Sequence, residues 1–89
     1  MPKDNFSTSS DSLIAPANNA FHVTPSDAVE LTAVTKALFI GTGGDIVVRP
    51  VEGSQDIIFR NLQSGSILDI RASAVRETGT TANDIVGLI

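Results

Sequence analysis

The sequence predicts an all-β fold: a small antiparallel sandwich or barrel, a meander of about five to six strands, behind an extended N-terminal arm. Three observations predict it. From Thr35 onward, short β-branched runs recur at roughly ten-residue spacing, each closed by a Gly, Ser or Asn turn. Those connections are too short for parallel crossovers, which need about a dozen residues or more. No long amphipathic helix follows the single helix-start signal in the chain.

The first element is the arm, residues 1–19, rich in Ser, Asn, Asp, Thr and Ala with Pro2 and Pro16. It carries too little apolar surface to offset the entropy of ordering by itself. Two readings stay open: a loose tail, or an arm that orders against a neighbouring subunit through the apolar island at Leu13 and Ile14. One β-domain, residues 20–89, follows. In "AFHVTPSDAVEL", Phe21 and Val23 alternate with His22 and Thr24 as in a short edge strand. Thr24-Pro25-Ser26-Asp27 then reads as a cap, a first-turn proline and a carboxylate, which predicts one helical turn over residues 25–30. The strands expected next are Thr35–Ile40, Asp45–Val51, Asp56–Leu62, Ser66–Val75 and Asp84–Ile89.

Between the first two of these lies "GTGG". A phosphate cradle of the Walker type needs a lysine and a following helix whose N-terminus faces the anion. Here Asp45 follows instead, then the β-branched "IVV" and Pro50, so the next segment is a strand. Gly41, Gly43 and Gly44 are therefore expected to supply positive φ in a hairpin turn.

Composition narrows the function. The 89 residues carry 6 Lys+Arg against 10 Asp+Glu, a formal charge of −4. That balance argues against nucleic acid as partner, and four Phe with no Trp or Tyr leave few stacking platforms for bases or sugars. No apolar run approaches the roughly 20 residues that cross a bilayer, and the N-terminus has no secretory h-region. With no cysteine and one histidine, disulfides and Cys- or His-based metal sites drop out. His22 has no nucleophile beside it in sequence, and Asp45, Asp56, Asp69 and Asp84 are isolated, without a calcium-loop pattern. No catalytic residue, cofactor or metal is expected.

A domain this small buries only about 60% of the surface its unfolded chain exposes. Without disulfides, oligomerisation is the expected supplement. All four arginines lie after residue 48, and Arg49, Arg60 and Arg71 are spaced by eleven, with Asp56, Asp69 and Glu77 nearby. They fit either cross-strand ion pairs on a solvated face or a protein interface suited to arginine's rigid fork. The apolar ending "DIVGLI" is either buried in its own core or covered by a neighbour. Candidate subunit-interface residues are therefore Arg49, Arg60, Arg71, Ile85, Val86, Leu88 and Ile89.

Three stretches add a resemblance: "VTPSD" at residues 23–27, "ALFIGTGG" at 37–44 and "TGTTANDIV" at 78–86. In this order and spacing, over residues 19–89, the chain resembles the head-spike base proteins of tailed phages and gene transfer agents. Members tend to end on an aromatic residue where this chain has Ile89. The resemblance implies a structural virion protein on the outer capsid surface. There a homo-oligomer, a pentamer, sits at the fivefold vertex on the major capsid protein and mounts a spike or fibre. It also implies an arm that, through Leu13 and Ile14, contacts the capsid or else clasps a neighbouring subunit. The alternative is a capsid cement or decoration protein bridging major capsid subunits. A third class, a carbohydrate- or nucleic-acid-binding barrel, would need the clustered aromatics that are missing.

Overall fold

The β-branched runs form seven strands in the computed structural model, which describes residues 17–89. They are β1 (Ala20–His22), β2 (Ala37–Thr42), β3 (Gly44–Pro50), β4 (Ile57–Leu62), β5 (Ser66–Leu68), β6 (Ala72–Arg76) and β7 (Asn83–Leu88). All pairings are antiparallel, in two sheets ordered β1-β7-β2-β5 and β4-β3-β6. The expected all-β antiparallel sandwich is the observed one. Leu13 and Ile14 lie outside the described residues.

The strand order is not a meander. Only β3 and β4 are both consecutive and paired. The chain otherwise steps between sheets, and three residues suffice for each step from β4 to β5 (residues 63–65) and from β5 to β6 (residues 69–71). Packed sheets lie about 10 Å apart, and three extended residues span about that distance. The expected strand Ser66–Val75 is therefore two strands, β5 and β6, one in each sheet, with Arg71 in the crossing between them.

Period-2 alternation decides which side chains meet. Leu38 and Ile40 of β2, Ile46 and Val48 of β3, Val75 of β6 and Ile85 of β7 point between the sheets and are at most 1% exposed. Each contributes about 1.5–3 kcal/mol on burial. Phe21, Leu31, Phe59, Leu62, Leu68 and Ile70 pack around this centre, partly buried. Thr35 is the one buried polar residue among those described. Its Oγ1 donates to the Ile70 carbonyl (3.3 Å) and accepts from the Ala72 N–H (3.0 Å), so it holds the turn at the start of β6.

The glycine loop is not a hairpin. β2 and β3 lie in different sheets with Gly43 alone between them, so "GTGG" is a corner where the chain changes layer. At Gly43 a Cβ would collide with the Leu62 carbonyl oxygen, and at Gly44 one would lie 2.6 Å from Thr81 Oγ1. Gly44 also has φ +153°, a conformation L side chains rarely adopt. Close approach, more than turn geometry, explains the glycines.

One further expectation is corrected. Residues 25–30 form no helical turn: the Ser26 hydroxyl accepts from the Ala28 and Val29 N–H groups (3.2 and 3.1 Å) in a local serine turn. Backbone bonds from Ser26 to Val75, Leu31 to Ser73 and Thr35 to Ala72 instead lay this segment along β6. For the C-terminal strand, left open between its own core and a neighbour, the structure shows pairing on both sides within its own sheet. β7 sits between β1 and β2, and Ile89 is tied to Asn18 and Asn19 by three backbone bonds of 2.8–2.9 Å.

Candidate assembly surfaces

The three sequence stretches that carry the resemblance converge in space. Asp27, from the first, accepts from the Glu77 and Thr78 N–H groups (both 3.0 Å) and from Thr78 Oγ1 (2.5 Å), in the third. The Thr78 hydroxyl bond, aided by the two backbone donors, holds the Asp27 carboxyl below its ordinary value of 3.8. Asp45, directly after the glycine corner, receives Thr81 Oγ1 as acceptor for its N–H (2.9 Å), while its carbonyl accepts from Thr81 and Ala82. Thr80 Oγ1 accepts from the Val47 N–H (3.0 Å) and donates to the Arg76 carbonyl (2.5 Å). Thr78 thus fastens the β6–β7 loop to the 24–35 segment, while Thr80 and Thr81 fasten it to β3. Sequence reasoning took this loop as a plain polar turn; three hydroxyls around one glycine were the available signal.

A hollow of about 450 Å³ opens beside the glycine corner, lined among others by His22, Thr24, Thr42, Asn83 and Asp84. Its lining holds no lysine or arginine, so it offers an anion no counter-charge. Asp84, at φ 55°, accepts from Thr42 Oγ1 (3.0 Å) and adds negative charge there. Among the described residues no three His, Cys, Asp or Glu side chains gather as a metal site.

The two broad faces differ in chemistry. On the outer face of the three-stranded sheet, Asp56 pairs with Arg49 (2.9 Å) and Arg76 (3.4 Å), and Asp45 pairs with Arg60 (3.3 Å). These are cross-strand ion pairs of partly exposed groups, worth about 0.2–1 kcal/mol each. Arg71 makes no ion pair among the described residues, and Asp69 and Glu77 are not partners in this network. On the four-stranded sheet the register sets His22, Val86, Phe39 and Ile67 in one outward row. The next outward row is Ala20, Leu88 and Ala37. Apart from His22 these rows are apolar, and Ile67 in them is 60% exposed.

The candidate interface residues therefore separate. Ile85 belongs to the subunit's own core at 1% exposure, because period-2 alternation turns it inward while Val86 and Leu88 turn outward. Arg49 is held in the ion-pair network with its side chain 29% exposed, whereas Arg60 projects at 68%. Ile89 is half-buried and fixed to the start of the described chain. Sequence reasoning did not single out Ile57, Ile58 and Ile67, which are 43%, 39% and 60% exposed. Their exposure follows from β4 and β5 being the outermost strands of their sheets.

The chain is similar to one in the solved capsid of a native gene transfer agent (GTA) particle computed with C5 symmetry, at 36% identity and a TM-score of 0.82. The match covers 98% of this chain and 100% of that one. No family model and no curated protein matches.

Proposed function

Given that this chain belongs to the family of that gene-transfer-agent capsid-particle protein, a family of virion structural proteins, we propose that it is a head-spike base. In this reading copies form a closed, pentameric ring on the outer surface of a capsid vertex. The ring rests on the major capsid protein and mounts a spike or fibre, and its subunits do no chemistry. The observation that carries this is the end-to-end match to a chain of a particle computed with C5 symmetry, the symmetry of a capsid vertex. The architecture supports it: a small sandwich with one apolar broad face and exposed isoleucines at one side leaves hydrophobic surface that assembly can cover. Val86, Leu88 and Ile67 on the apolar face are the residues this reading places against the virion components below or above the ring. Leu13 and Ile14 are assigned to the arm that contacts the capsid.

A fivefold-averaged reconstruction of purified particles tests the proposal, with density for this chain expected around the vertices. Density at other symmetry positions would assign it to capsid decoration instead, and particles lacking the chain would refute both.

A further inference from the structure

A ring built from one kind of subunit needs two different surfaces on each copy that fit one another. The inference below rests on that ring reading and names the surfaces. The sandwich has two lateral sides, and they are built differently. On one side β4 and β5, joined by residues 63–65, are the outermost strands of their sheets. Ile58 aligns with the outward Val47 and Ile57 with the buried Val48, so the two isoleucines flank the β4 edge. Neither strand contains lysine or proline, the residues that commonly blunt an open edge. Arg60 projects from the same strand with its side chain 68% exposed, one guanidinium nitrogen on Asp45 of its own subunit (3.3 Å) and the rest of the fork open to a second carboxylate.

On the opposite side no edge of the three-stranded sheet is open, because the 24–35 segment lies along β6. Between that segment and β1 is a hollow of about 230 Å³, lined by the apolar Phe21, Val23, Val29 and Leu31, with His22, Thr24, Thr32 and the exposed Glu30 around them. Val29 there is 66% exposed. One side thus presents projecting aliphatic groups with a cation, and the other an apolar concavity with an anion at its rim.

We infer that the β4/β5 side of one copy seats in the β1/24–35 hollow of the next copy, with Ile58 entering the hollow and Arg60 facing Glu30. The occupant is a second copy because both the shape and the charge sense of the two sides are complementary. The contact is head-to-tail, so it closes a ring when the rotation between copies divides a full turn.

Light scattering on the full-length chain tests this at fixed protein concentration and low salt, with circular dichroism as the check on folding. Wild-type protein is expected to be one closed oligomer. I58K, R60E and E30R each raise the concentration needed for assembly at least tenfold without changing the β spectrum, and R60E/E30R recovers assembly. A wild-type oligomer unaffected by I58K and R60E overturns the inference and leaves the ring standing. Failure of the double reversal to recover overturns the Arg60–Glu30 pairing. I58K rings that form normally but no longer join particles identify a different capsid protein as occupant, also overturning it. A wild-type chain that stays monomeric at every concentration removes the ring itself, and the inference with it.

Discussion

Replacing Thr35 with valine keeps the side-chain shape and removes only a hydroxyl, which makes it a sharp probe of the fold. The hydroxyl accepts from the Ala72 N–H at 3.0 Å, and both residues are fully buried. In Thr35→Val that N–H loses its partner where water does not reach it. An unsatisfied buried donor costs about 1–3 kcal/mol. The Ile70 carbonyl, only partly buried, can turn to solvent, so a loss of about 2 kcal/mol is expected in total. For a domain of this size each kcal/mol moves the thermal midpoint by about 4–8 °C, giving a fall of about 8–16 °C. Thr35→Ser is the control: it keeps the hydroxyl and deletes one methyl, costing about 0.8 kcal/mol. The assay is a circular-dichroism melt, since the chain has no Trp or Tyr for fluorescence. Concentration is held constant, because assembly itself shifts the midpoint. A valine variant within about 2 °C of wild type, or a serine variant worse than valine, would refute the reasoning.

At the sheet corner, Gly43→Ala and Gly44→Ala should each destabilise by more than 1 kcal/mol, because the added Cβ meets backbone or the Thr81 hydroxyl; melts of both variants check this. Ile46→Ala should cost about 2–5 kcal/mol in urea titration, since Ile46 is fully buried between the sheets. Because the Asp27 carboxyl titrates lower when folded than its ordinary 3.8, its stabilisation is complete above that value and is lost as pH falls through the folded value. Acid titration by NMR should therefore hold the Glu77 and Thr78 amides in place through the ordinary carboxylate range and release them below it, and Asp27→Asn should remove that pH response. Asp56→Asn, which breaks two surface pairs, should cost at most about 1–2 kcal/mol and less in high salt.

Local chemistry determined much of this protein. β-branched runs and polar turns mark six extended runs, one of which divides to give the seven strands, and alternation along β2 and β3 selects Leu38, Ile40, Ile46 and Val48 as core. What the chain order could not reveal is which strand lies beside which. A short loop serves equally as a hairpin within one sheet or a step of about 10 Å to the other, so "GTGG" and residues 69–71 read the same either way. That choice is made by burial summed over both sheets, a property of distant residues meeting. It places β7 inside its sheet, puts Ile85 in the core and leaves β4, with Ile57, Ile58 and Arg60, as the outermost strand of its sheet among the described residues. Asp27 finding Thr78 fifty-one residues away has the same origin: a carboxylate is satisfied by whichever donors the packed layers bring to it, and only the tertiary structure brings them.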